Sequence, residues 1–159
     1  MDAQALRTPV LELICPPQTD MLRLIRSVVT VVSTEIGFSP EEASLIELSV
    51  DEACTNVIFH AYGEAAPPSS PEPELRVQIR PALDRLAICV IDEGTGLCEG
   101  SPRGVSCVEE YASQQEPKGL GSYIIARFMD EVVYDCPPGA GTVLTMVKYL
   151  HKPQSPQPD

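Results

Sequence analysis

Positive charge is scarce in this chain. Lys and Arg number 11 against 23 Asp and Glu among 159 residues, a net charge of −12. Nucleic-acid phosphates would be repelled by such a balance, and so would an anionic membrane surface, so neither is expected as a partner. A bilayer-spanning run is also missing. Leu24–Ile36 is the closest approach to one, but it is too short and is interrupted by Arg26, Ser33, Thr34 and Glu35. Met1–Pro9 is polar and carries an acid, unlike a signal peptide, which places the expected location in the cytoplasm. No CxxC pair occurs, and His60 and His151 complete no zinc spacing. Cys15, Cys54, Cys89, Cys98, Cys107 and Cys136 are therefore expected as free thiols, mainly small core residues. No internal repeat is present. A polyphosphate ligand would have to be held by backbone N–H groups, a metal ion and a few local cations, because the overall field opposes it.

What the chain does have is enough apolar material, 43% of its residues, for one domain with a core. Its most informative stretch is Val50–Tyr62. Ser39 is a good N-cap, Pro40 fits the first helical position, and Glu41 and Glu42 suit the positive end of the helix dipole. The helical pattern then runs to about Tyr62, with Gly63 as the stop. Ile46, Val50, Ala53, Val57 and Ala61 form one buried stripe. Glu52 and Asn56, four residues apart, stack beside it. Such a pair is usually a solvated helix face. In a site, the carboxylate can take a proton and the carboxamide can offer oxygen to a hard cation.

Around this helix, Val10–Cys15 reads as a first strand ended by Pro16 and Pro17. A helix capped by Thr19 or Asp20 runs to about Ile36, with Leu24, Val28, Val31 and Val32 as its apolar face and Arg23 and Arg26 away from it. Glu64–Glu74 is a proline-rich loop. Leu75–Arg80 alternates, with Leu75, Val77 and Ile79 inward, and Leu86–Ile91 is apolar on both faces, as in a central strand. Residues 93–118 keep no steady period and read as a long loop. A third helix covers Leu120–Asp130, with Ile124, Ile125, Phe128 and Met129 as its apolar side. Val132–Cys136 and Thr142–Leu150 are strands. The order β-α-α-β-β-loop-α-β-β predicts an α+β fold, a two-layer sandwich with helices on one face of a mixed, mostly antiparallel sheet. The domain is expected over residues 10–150, between an extension at 1–9 and a proline-rich tail at 151–159.

Three glycine motifs join the Glu52–Asn56 pair. Asp92-Glu93-Gly94-Thr95-Gly96 follows the central strand, where a plain turn is the ordinary meaning and close backbone approach the functional one. Gly119-Leu120-Gly121-Ser122 opens the third helix. Its unpartnered N–H groups, with Lys118 just before them, make an anion site or simply a hinge. Gly141-Thr142 begins the last strand.

In this order the four segments resemble the N box and the three glycine boxes of the Bergerat-fold ATPases, which include DNA gyrase, histidine kinases and MutL. Within that superfamily the chain looks most like the bacterial anti-sigma-factor serine kinases. Glu52-Ala53-Cys54-Thr55-Asn56 with His60-Ala61-Tyr62, Gly119-Leu120-Gly121 with Met129-Asp130-Glu131-Val132, and Gly141-Thr142 with Lys148-Tyr149-Leu150 carry the likeness. The resemblance implies ATP and Mg²⁺ as cofactors. It matches Asn56 to the metal ligand, Glu52 to the general base, and Asp92 to the acceptor of the adenine amino group. Gly94 and Gly96 match the glycines that let the nucleotide approach, and Thr142 the threonine near adenine. Gly119 and Gly121, with Leu120 and Ser122, match the phosphate end and lid hinge; Lys118 and Arg103 are candidate phosphate contacts. His60 reads as structural. The implied activity is that of a protein-serine kinase and anti-sigma factor. It would phosphorylate a STAS-type antagonist, sequester a sigma factor or similar regulator, and form a homodimer. The alternative is a non-catalytic nucleotide-gated binding module of the same fold.

Overall fold

The computed structural model describes residues 11–62, 72–94, 119–137 and 139–150. The elements follow the order β1 (Leu11–Cys15), α1 (Asp20–Ile36), α2 (Pro40–Asn56), a π-helical turn (Val57–Ala61), β2 (Leu75–Pro81), β3 (Arg85–Asp92), α3 (Gly119–Phe128), β4 (Glu131–Asp135) and β5 (Thr142–Tyr149). The sheet order is β1-β2-β3-β5-β4, so β3 is the central strand and β1 and β4 are the edges. All four pairings are antiparallel.

Register explains how one face of the sheet becomes the core. Val77 lies opposite Val90 and Ile79 opposite Ile88, while Ile88 faces Met146 and Val90 faces Leu144 across the next pairing. All six are buried, as the period-2 pattern of β2 requires. Arg76, Gln78 and Arg80 alternate with them on the opposite face.

Helix α2 supplies the other layer. Ser39 caps it in a full capping box: the Glu42 amide donates to the Ser39 hydroxyl at 3.2 Å, and the Ser39 amide donates to the Glu42 carboxylate at 2.9 Å. Its expected stripe of Ile46, Val50, Ala53, Val57 and Ala61 is buried throughout. Full burial of each larger member contributes about 1.5–3 kcal/mol.

Two expectations about the helices are corrected. The α-helix does not run unbroken to Tyr62; it ends at Asn56 and widens into the π turn. Helix α1 also sits rotated from the expected face: Val28 and Val32 pack half-buried against the core as expected, but they flank the buried line instead of forming it. Leu22, Ile25 and Val29 are buried, whereas Leu24 is 56% and Val31 60% exposed. Apolar residues spread around much of the helix, and periodicity does not choose the face that packs. The observed rotation brings Thr30 and Arg26 to α2, where the Thr30 hydroxyl donates to Glu47 at 2.6 Å and Arg26 lies 3.2 Å from Asp51. Arg26 is thus an inter-helix partner. Gly37 ends α1 with φ +111°, a left-handed position suited to glycine.

Cys15, Cys54 and Cys89 are free thiols. Cys136 departs from the expected free state: it is disulfide-bonded. Cys98, Cys107, most of the proline-rich loop, most of the 93–118 span and both chain ends lie outside the described residues. Among the described residues no helix is long and apolar enough to cross a membrane.

Candidate active site

Three separated segments converge at the end of α2. Glu52 and Asn56 are half-buried and stack on its last turn. The first turn of α3 lies directly against them. A Cβ built on Gly121 would fall 2.6 Å from the Glu52 Oε2 and 3.6 Å from the Asn56 Oδ1. Glycine at 121 therefore lets a helix N-terminus approach a carboxylate and a carboxamide together. The first four N–H groups of any α-helix lack partners within it, and here they belong to Gly119, Leu120, Gly121 and Ser122. Amides and the positive end of the dipole suit an anion at that spot.

The second part of the site lies at the end of β3. Asp92 is the last residue of that strand and only 2% exposed. Its Oδ1 accepts the Gly94 amide at 2.9 Å. Thr142, also 2% exposed, is paired with Asp92 in the β3–β5 register, which sets its side chain beside the same carboxylate. Among the described residues the buried Asp92 Oδ2 has no hydrogen-bond partner. Burial pushes the Asp92 carboxyl above its ordinary range, and the bonds from Gly94 and Thr142 pull in the other direction. An orphaned buried acceptor is costly unless a ligand donor completes it.

Glycines also bring chain segments together here. A Cβ on Gly94 would lie 2.0 Å from the Ala61 carbonyl oxygen, and one on Gly141 would lie 2.0 Å from the Asp92 carbonyl oxygen. Gly141 is at φ +77° as well. The missing side chain at 94 thus admits the end of the π turn, and that at 141 admits the end of β3. Because the π turn starts directly after Asn56 and ends at Ala61, its 5 residues connect the carboxamide to the Asp92 corner.

Glu52, Asn56, Asp92, Gly94, Gly121, Ser122 and Thr142 therefore occupy one connected arrangement of α2, the π turn, β3, α3 and β5. Leu120, in the same turn as Gly121, is 73% exposed. Gly96, Lys118 and Arg103 lie outside the described residues. His60 is exposed and outside this arrangement. Sequence reasoning missed the π turn, which has no periodicity of its own, and gave no separate role to Tyr62.

The residues present fit a nucleotide. Asp92 offers one unsatisfied acceptor to an exocyclic amine, the α3 amides suit phosphate, and the Asn56 oxygen is a hard donor acceptable to Mg²⁺.

Residues 15–148 match the family described as the histidine kinase-like ATPase domain. The anti-sigma F factor of Caldanaerobacter subterraneus subsp. tengcongensis is 31% identical over 128 residues, covering 79% of this chain and 82% of that protein. This chain belongs to the histidine kinase-like ATPase family, among its anti-sigma-factor kinases. The serine-protein kinase RsbW of Bacillus subtilis (strain 168) is 28% identical over 144 residues, covering 89% of this chain and 86% of that protein. The crystal structure of the RsbU and RsbW domains of a Mycobacterium tuberculosis protein superposes with a TM-score of 0.62 at 19% identity. That match covers 92% of this chain and 34% of the longer one, and it establishes the shared fold. ATP binding comes with membership of this family.

Proposed function

We propose that this chain is an ATP-dependent protein-serine kinase that also acts as an anti-sigma factor in a partner-switching module. The observation that carries the catalytic half is the close approach of Gly121 to Glu52 and Asn56, near enough that a Cβ there would meet both side chains. It joins a base, a metal-binding oxygen and an anion-binding helix end. Phosphoryl transfer needs little more than positioning and charge neutralisation, and this arrangement supplies both.

In this reading the α3 amides receive the phosphate end of ATP. Asp92 accepts the adenine amino group at Oδ2, with Thr142 and Gly94 fixing its carboxylate. Glu52 takes the proton from an incoming serine hydroxyl while that oxygen bonds to the γ-phosphorus and the bond to ADP breaks. Asn56 would hold Mg²⁺, which supplies neutralisation of phosphate charge when bound. Gly96 and Lys118 complete the expected contacts.

The proposed phospho-acceptor is a serine on a STAS-type antagonist, and the proposed captive is a sigma factor or similar regulator. The relatives support this: one is an anti-sigma F factor, and another a serine-protein kinase. We place the activity in the cytoplasm. The exposed edge of β1 is the proposed contact for a homodimer.

The test is labelling of a candidate STAS-type antagonist with radioactive ATP and Mg²⁺. Wild type should label one serine. Glu52→Ala should slow labelling by about 10²-fold or more, the usual worth of a general base, while ATP affinity holds. Labelling that survives Glu52→Ala at the wild-type rate refutes the assigned base.

A further inference from the structure

Tyr62 follows the π turn and reaches across the open ends of β2 and β3. Its hydroxyl accepts the Glu93 amide at 3.0 Å and donates to the Glu74 carbonyl through a short bond. The β2–β3 register pairs Leu75 with Asp92, so Glu74 and Glu93 would be the next pair along. The hydroxyl thus stands between a carbonyl and an amide that could otherwise bond directly and extend the ladder. The strand pair ends at Asp92 with a side chain wedged beyond it. One residue further on, Gly94 packs against the Ala61 carbonyl and binds the Asp92 Oδ1 through its amide. Ala61–Tyr62 and Glu93–Gly94 are therefore fastened together at two successive positions. Burial keeps the Tyr62 phenol above its ordinary pKa, so it stays a neutral donor and acceptor at physiological pH.

We propose that Tyr62 is a positioning residue for nucleotide recognition: its hydroxyl holds the strand ends apart and sets the register between the helix end carrying Asn56 and the corner carrying Asp92. Resting on the nucleotide reading above, this adds that adenine recognition by Asp92 depends on a side chain that need not touch the base. Without the hydroxyl, Glu74 and Glu93 lose their shared partner. Glu93 then moves toward Glu74 or toward water, and the Asp92 Oδ2 is re-aimed with it. The triphosphate end, held by α3 and Asn56, is left in place.

The experiment titrates ATP and ITP, which carries oxygen in place of the adenine amino group, into wild type and Tyr62→Phe. Phosphoryl transfer is measured at saturating ATP alongside. Tyr62→Phe should weaken ATP roughly fivefold, the worth of one neutral hydrogen bond, and ITP less than about twofold. The saturating rate should stay within about twofold of wild type. If both nucleotides weaken equally, or if neither weakens, Tyr62 is merely structural and the proposal fails. A wild type that binds neither nucleotide overturns the nucleotide reading and this proposal together. A wild type that prefers ATP, with a variant keeping that preference intact, overturns this proposal alone. Should Tyr62→Phe not fold, amide exchange in the wild type decides. ATP must protect the Glu93 amide more than ITP does, and equal protection refutes the proposal.

Discussion

Gly121→Ala separates catalysis from stability more sharply than any other single change in this site. The new methyl carbon would start 2.6 Å from the Glu52 Oε2, and about 0.8 Å of movement is needed to reach 3.4 Å, where ordinary contact begins. The Asn56 Oδ1 at 3.6 Å is already at ordinary distance. The atom that must yield is therefore the tip of a flexible side chain, not backbone. Swinging a carboxylate off its rotamer costs about 0.5–1.5 kcal/mol. Alanine in a helix in place of glycine returns about 0.8–1.0 kcal/mol, less in the first turn. The two nearly cancel, so the melting temperature should shift by no more than about 3 °C in either direction.

Activity should respond differently. A displacement approaching 1 Å of a reacting group costs on the order of 10²-fold in rate. Single-turnover labelling at saturating ATP should fall by that order, with nucleotide affinity changed far less. Gly94→Ala is the control, because its methyl meets the Ala61 backbone at 2.0 Å and must move main chain. That variant should lose stability and activity together, by about 1–3 kcal/mol or more in stability. If Gly121→Ala labels its acceptor at the wild-type rate, the Glu52 carboxylate does not act from the position seen here. If activity falls only as far as stability does, the argued separation is wrong.

Asp92→Asn should raise stability at neutral pH and abolish selective ATP binding. The folded carboxyl lies above its ordinary value of 3.8, so the folded state binds more protons than the unfolded one between those two values. Wild-type stability therefore falls as pH rises through that window, and the advantage of the Asn variant over wild type should shrink as pH is lowered back through it in thermal melts. Lys148→Met tests the far end of α3. The Lys148 ammonium donates to the Phe128 carbonyl at 2.9 Å and to Asp130 at 3.2 Å, and the Asp130 carboxylate also accepts the Tyr149 amide at 2.7 Å. Losing this C-terminal cap should cost about 1–2 kcal/mol in urea denaturation, with ATP affinity unchanged.

Much of the fold is legible in the sequence because its signals are local. Ser39, Pro40 and Glu42 announce the start of α2 through capping chemistry confined to four residues. Leu75, Val77 and Ile79 announce the core face of β2 through simple alternation. Glu52 and Asn56 can be paired from their spacing alone because both ride on one helix. Helix α1 misleads for the complementary reason. Its apolar residues spread around much of the helix, and the rotation that buries Leu22, Ile25 and Val29 appears only in the packing against α2, where Glu47 and Asp51 receive Thr30 and Arg26. The packing partners of Gly94 and Gly141 are hidden in the same way. Turn chemistry accounts for a glycine locally, but only the assembled chain reveals that Ala61 and Asp92 occupy the space a side chain would fill.

The π turn shows why local reading runs out at the site itself. An unbroken α-helix through Val57–Ala61 would advance about 100° per residue and carry Ala61 and Tyr62 along the α2 cylinder. Widening by one residue per turn changes their direction while Val57 and Ala61 both remain buried. The hydrophobic stripe alone cannot distinguish the two courses, because it is satisfied by either. The difference appears in polar detail: the Ala61 carbonyl seated against Gly94, and the Tyr62 hydroxyl shared between Glu74 and Glu93. These contacts fix where the strand carrying Asp92 stops relative to the helix carrying Asn56. The distance between the two ends of the proposed nucleotide site is thus set by a departure from regular helix geometry, which apolar periodicity does not encode.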